Sequence, residues 1–277
     1  MVLALRTVVS LAMVLWALAP ALAQDGADAA EKIAVVTKAG QGETLDYGVV
    51  VTVKGSMPVA GSAEPVELDV VYDLVIRHRY GRADRDGLVP LEISVIGSKA
   101  TVGGQELAVA PGTFPRISVL FDPDWRMTEV YGLANYPRTV PGINYGNLVI
   151  LFVLHGGGVP RAVGEKWVTD VAFPAYDETY RFTSAIKSVD RANGAETVRV
   201  AQSIDWVNPK PAGDIAAIAR ATAESVFAAD GGRLLRSSAM CEVTFGGADG
   251  SPPRQEIAAH RANIAISISP APAAVRP

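Results

Sequence analysis

The chain has 277 residues, of which 49% are hydrophobic and 19% charged, with a formal net charge of −4 and a single cysteine. An acidic balance without any basic run excludes a nucleic-acid footprint. One cysteine excludes an intramolecular disulfide framework, so stability has to come from a buried core.

Residues 1–23 read as a targeting segment. Arg6 supplies a short basic region, residues 8–18 an apolar one, Pro20 a break, and Ala21-Leu22-Ala23 a small-x-small cleavage site before Gln24. The apolar run falls short of the roughly 20 residues that a spanning helix needs; retention as an uncleaved anchor is the alternative. No Cys follows the cleavage site. The expected mature chain is therefore a periplasmic or secreted bacterial protein, exported by a Sec-type signal, not a lipoprotein, and without a membrane span. Residues 24–32, polar and rich in Ala and Asp, are expected to be a flexible lead-in.

From there the dominant pattern is period-2 alternation, the mark of half-buried antiparallel strands. Leu45, Tyr47, Val49, Val51 and Val53 fall on one face. Val66, Leu68, Val70, Tyr72, Leu74 and Ile76 form the next, with Glu67, Asp69 and Asp73 opposite. A turn over residues 82–87 leads to Leu91, Ile93 and Val95, and Gly103-Gly104 marks a turn or bulge. Ile117, Val119 and Phe121 run into Asp122-Pro123-Asp124-Trp125, with Pro at the second turn position. Residues 148–154 are apolar all round, so they are buried in any conformation; the flanking Gly142 and Gly156 suit a short plug helix, although the β-branched content also suits a strand. Residues 178–189 are a strand closed by Asn193-Gly194, a tight-hairpin dipeptide, and Val198, Val200, Ile204 and Trp206 share a face on the return. Residues 214–223 admit a short helix or a strand. Residues 221–228 and 234–245 flank Asp230-Gly231-Gly232, and Ile264, Ile266 and Ile268 close the series before a Pro/Ala tail, residues 270–277, expected to be disordered.

The fold expected is mainly β: antiparallel, curved and half-barrel-like, in one sheet or in two related units, residues 33–142 and 167–269, around a linker and plug at 143–166. The segments 119–127 and 226–234, each a strand, a turn, an Arg and a return, suggest the relation.

Candidate chemistry is sparse. His155-Gly156-Gly157-Gly158 after an apolar run has the form of an oxyanion loop, but no Gly-x-Ser-x-Gly elbow follows and the βαβ alternation of such hydrolases is missing. His78, His155 and His260 lack metal-ligand spacing. Asp84-x-Asp86-Gly87 opens like a calcium loop without the later ligands, and reads as a hairpin turn. Gly103-Gly104 and Gly246-Gly247 are too short for phosphate loops. Cys241 lies on the apolar side of its strand with no basic neighbour, as a core residue does. No catalytic residue, metal ligand or cofactor site is assigned.

The order Pro160, Val163-Gly164 and Trp167, then a strand, a hairpin, Asp230-Gly231-Gly232-Arg233-Leu234-Leu235 and a long return strand, over residues 160–245, resembles a set of exported bacterial β-rich proteins of unknown function. It also resembles the half-barrels of periplasmic lipoprotein carriers of the LolA/LolB type. That resemblance implies a curved sheet whose concave side holds acyl chains, recognised by shape and apolar lining. The expected function is non-enzymatic binding of a lipid, lipoprotein or other hydrophobic ligand in the envelope, with Tyr72, Leu74, Trp167, Phe182, Trp206, Phe227 and Phe245 as lining candidates. The alternatives are a structural or protein-interaction module of the periplasm, through the Pro/Gly-rich loops 58–65, 136–142, 208–213 and 246–253, and a hydrolase-like enzyme.

Overall fold

The computed structural model describes residues 31–36, 42–58, 64–134, 139–140, 143–174, 177–192, 194–207, 215–247 and 260–272. The described residues from Ile33 onward form one compact body. Its strands are β1 (Lys32–Ile33), β2 (Thr44–Met57), β3 (Val66–Tyr80), β4 (Val89–Val102), β5 (Gln105–Ala108), β6 (Ile117–Phe121), β7 (Met127–Tyr131), β8 (Thr139–Val140) and β9 (Ile143–Asn144). After helix α1 (Asn147–Ile150) come β10 (Arg161–Ala162), β11 (Lys166–Phe173), β12 (Glu178–Ala192), β13 (Ala195–Trp206), β14 (Ile215–Ala228), β15 (Leu234–Gly247) and β16 (Arg261–Pro270).

Twelve of these strands make one antiparallel sheet in the order β11-β12-β13-β14-β15-β16-β2-β3-β4-β6-β7, with β5 added on β4. The first and last strands of this path, β11 and β7, come close to one another, so the sheet is nearly closed and barrel-like. The stretches read from the sequence as two related units both contribute to it: β16 runs beside β2 with Ile264 opposite Val53 and Ile266 opposite Val51. β16 continues through Pro270, and the Ala271 N–H donates to Asp46 O at 2.8 Å. The hairpins 119–127 and 226–234 are alike in one further respect, a register shift beside the turn, at Leu120/Phe121 and at Val226/Phe227.

The alternation explains which way each strand faces. Tyr47, Val49, Val51 and Val53 on β2 and Leu68, Val70, Tyr72, Leu74 and Ile76 on β3 are buried inward, while Asp69 and Asp73 point out. The outer face carries cross-strand ion pairs, among them Arg77–Asp46 and Arg181–Asp170, both two-pronged, and Arg199–Glu224 at 2.8 Å. Exposed pairs of this kind stabilise by only a few tenths of a kcal/mol each. Their significance is the polarity they give the outside, the reverse of a bilayer-spanning barrel, whose outward side chains are apolar.

Inside the sheet sits the segment from Tyr145 to Gly158. Tyr145 and residues 148–155 are buried without exception. The sequence left helix and strand open here and favoured helix; the outcome is a single turn, α1, followed by a chain of turns. Seven consecutive apolar side chains surrounded by strand faces need no periodic stripe, so packing in every direction replaces amphipathic helix geometry. Residues 214–223 were the other helix candidate. The described part belongs to strand β14, where Ala219, Ala221 and Ala223 alternate with Arg220, Thr222 and Glu224 and pairing on both sides overrides the helix propensity of alanine.

Candidate functional site

Five of the seven residues expected to line a cavity, Tyr72, Leu74, Trp167, Phe182 and Phe227, are buried in the same hydrophobic core as residues 148–154. The central plug is built against them. Phe152 stacks at a tilt on His78, with ring centroids 4.7 Å apart, and edge-on against Tyr47 at 5.2 Å. The His155 ring lies 4.8 Å from that of Phe182. Trp167 donates from Nε1 to the His155 carbonyl at 3.0 Å.

Both histidines are wholly enclosed. Burial depresses the pKa of His78 to about 3, opposed in part by Asp46. It depresses that of His155 to about 4, opposed by the hydrogen bond to the Ile150 carbonyl. Both imidazoles are therefore neutral at pH 7. The His155 Nε2 lies 3.2 Å from Ile150 O, which assigns the proton to that nitrogen. Neutral rings set among aromatic ones fill and orient the interior.

The three glycines after His155 have a structural cause. Gly156 has φ +70°, a Cβ on Gly157 would come within 2.6 Å of Val35 O, and one on Gly158 within 2.6 Å of Asp124 Cα. Their N–H groups are also taken. Gly156 donates to Trp125 O at 3.1 Å, Gly157 to Leu154 O at 3.0 Å and Gly158 to Asp124 O at 3.1 Å. An oxyanion hole needs N–H groups aimed at empty space; here all three are bound to carbonyls. The Asp84 segment is likewise explained as a turn, since Asp84 Oδ1 accepts from the N–H groups of Asp86 and Leu88, both at 2.9 Å.

The remaining two candidates, Trp206 and Phe245, are half-buried. They lie toward the same end of the sheet, because β13 and β15 both run antiparallel to β14 between them. Ala221, Cys241 and Val243 share this inner strip and are also only half-buried. Ala219 pairs across from Val243 and Ala221 from Cys241, so β14 offers methyl groups where its neighbours carry larger side chains. At the strip's edge the Trp206 indole lies parallel to the Tyr180 ring, 4° between planes and 6.2 Å between centroids. Tyr180 donates its hydroxyl to the buried carboxylate of Glu178 at 3.0 Å. The Trp206 Nε1 is buried and has no hydrogen-bond partner among the described residues. A buried donor without a partner costs roughly 1–3 kcal/mol, which an acceptor brought by a ligand would recover. Burial, and then Glu242, push the Cys241 thiol up to about 11, so at neutral pH it presents apolar surface and no thiolate.

The structure thus joins two of the seven predicted residues at one end of the sheet and places the other five in the packed core. Ala219, Ala221, Val243 and Glu178 belong beside Trp206 and Phe245 and were not singled out, and Cys241, read as a core residue, lies half-buried among them. Parity alone put Cys241 and Val243 on the apolar side; nothing in sequence separates a covered inner position from an uncovered one. No known protein-family model matches the chain, and no curated protein is detectably similar to it.

Proposed function

We propose that this chain is an exported, non-catalytic binding protein of the bacterial envelope. In this reading it takes a lipid or another hydrophobic molecule bearing one hydrogen-bond acceptor. The apolar body lies on the inner strip of β13, β14 and β15, and the acceptor meets the Trp206 indole N–H. The observation that carries this reading is the contrast along one sheet face: most inner positions are sealed by core or plug, yet Trp206, Cys241, Val243 and Phe245 stay half-exposed around a donor with no partner among the described residues. Apolar lining with a few placed polar groups is the usual composition of a small-molecule site.

The test is native mass spectrometry on protein recovered from a bacterial periplasm, with lipid extraction and a Trp206→Phe and Val243→Asp pair of variants. A bound mass that is released on denaturation, is retained less by W206F and is lost in V243D supports the reading. A mass equal to the bare polypeptide in wild type and variants alike overturns it.

A further inference from the structure

The outer face of the same sheet holds a groove of about 680 Å³ that the reading above does not use. It crosses β11 to β16 and ends on Val50 and Thr52 of β2. Six strand-to-strand steps of ~4.8 Å give it a length on the order of 25–30 Å. Its floor is low because the outward positions there are small: Ala185 faces Ala201, and Ala265 faces Thr52. Hydroxyls line it throughout, from Thr183, Ser203 and Thr222 to Ser238, Ser267 and Thr52. None of the six has a hydrogen-bond partner in the protein among the described residues.

One end is positively charged. Lys166 pairs across from Ala185, and Lys187 sits two residues further on β12, so the two lysines occupy diagonal positions on neighbouring strands and both line the groove. Lys187 is the extra residue of a β-bulge between Ile186 and Ser188, the device that re-aims a side chain out of register. Elsewhere on this face cations are matched across strands, as Arg181 is by Asp170, Arg199 by Glu224 and Arg261 by Glu242. Lys166 and Lys187 have no carboxylate within ion-pair distance among the described residues. The one carboxylate in the groove, Glu224, is held by Arg199 at 2.8 Å.

We propose that this groove binds an acidic oligosaccharide, with a carboxylate or phosphate between Lys166 and Lys187 and the sugar hydroxyls along the Ser/Thr floor. Like charges placed side by side repel, and an anion between them adds two attractive contacts at shorter range that outweigh the repulsion. Uncommitted hydroxyls offer both donors and acceptors, which a polyhydroxylated chain can use and an acyl chain cannot. Exposed Met240 and Val50 supply the small apolar surface on which a sugar face packs.

The test is isothermal titration at low salt of the mature chain with octamers of hyaluronate and of galacturonate, against neutral maltooctaose. Three variants accompany it: Lys166→Gln/Lys187→Gln removes the charge, Lys166→Arg/Lys187→Arg keeps it, and Ala201→Tyr fills the floor while leaving the charge. All sit on the outer face, and an unchanged thermal unfolding midpoint confirms the fold. The expected result is binding of at least one acidic octamer and not of maltooctaose, weakened tenfold or more by the Gln pair and by A201Y and retained by the Arg pair. No binding of either acidic octamer overturns the proposal. So does equal binding by A201Y, which would mean adhesion to charge alone.

Discussion

Acidification tests the reading of the interior most directly. His78 and His155 are held neutral in the folded chain with pKa values of about 3 and about 4, against an ordinary 6.5. Unfolding therefore takes up protons wherever the pH lies below about 6.5 and above those folded values. For a base with a depressed folded pKa, stability is complete above its unfolded pKa and is lost as the pH falls through it toward the folded one. Between pH 7 and pH 5 each histidine contributes a loss of about 1.9 kcal/mol, so the two together remove about 4 kcal/mol. The figure barely depends on the folded values as long as both lie well below 5. Ion-paired carboxylates do not mimic it: Asp170, held low first by its hydrogen bond from Arg181, loses its contribution only as the pH falls below its ordinary 3.8. The assay is urea denaturation followed by circular dichroism at half-unit pH steps. Near pH 5.5 the expected slope is about 2.5 kcal/mol per pH unit, and a His78→Leu variant should show about half of it. A stability flat to within about 1 kcal/mol from pH 7 to pH 5 would mean that water reaches both rings, and the plugged interior would be refuted.

Other consequences are equally concrete. Phe152→Ala removes the ring that packs on Tyr47 and His78 and should cost about 3–5 kcal/mol by urea denaturation, whereas a segment lying loosely in the barrel would lose under about 1 kcal/mol. Gly158→Ala drives a methyl group to within 2.6 Å of Asp124 Cα and of Pro123 O and should destabilise by about 1–3 kcal/mol in the same assay, with no gain or loss of any hydrolytic activity toward ester substrates. Cys241, with its thiol raised to about 11, should react with iodoacetamide far more slowly than free cysteine at pH 8, and more slowly again once a hydrophobic ligand covers the strip; a rate equal to that of the free thiol would place it in open solvent. Tyr47 and Tyr80 are both raised above their ordinary 10 by burial, so their contribution is complete below pH 10 and lost above it; the unfolding midpoint should fall steeply from pH 10 upward.

Much of the fold was legible because period 2 is a strong signal when one face is covered. Tyr47 to Val53 and Leu68 to Ile76 alternate without a break, and every one of those positions is buried. Asn193-Gly194 marked its hairpin, with Gly194 at φ +77° and Ala192 paired to Ala195. Where the pattern carried two meanings, local propensity could not decide: alanines at 219, 221 and 223 suit a helix alone and a strand once paired on both sides. The site was less legible. Trp206 and Phe182 have the same inward parity and much the same apolar character, yet one is half-buried and the other sealed. What separates them is the reach of the plug, a tertiary fact. The lysine pair was hidden for a related reason, because Lys166 and Lys187 lie 21 positions apart and meet only through the β11–β12 register and a bulge.

A last feature bears on how so long a sheet keeps its register. β14 and β15 pair along most of their length through small residues, with Ala221 opposite Cys241, Ala223 opposite Ala239 and Ser225 opposite Ser237. Such ladders specify register weakly, because sliding by two residues keeps every side chain on its own face and changes its packing little. Two buried polar contacts lie across this region of the interior. Ser225 Oγ and Ser237 Oγ are 2.8 Å apart, and Gln202 donates from Nε2 to Ser184 Oγ at 3.2 Å. All four side chains are buried. A two-residue slip of either hairpin would set each hydroxyl opposite an apolar neighbour and leave it unpaired, at roughly 1–3 kcal/mol per group. The polar pairs add little to overall stability, but they make the neighbouring registers costly. This role explains hydroxyl and amide groups among the mostly apolar inner positions of β12 to β15. It also fixes the half-covered strip, since Ala221 lies opposite Cys241 and Ala219 opposite Val243 only in this one register.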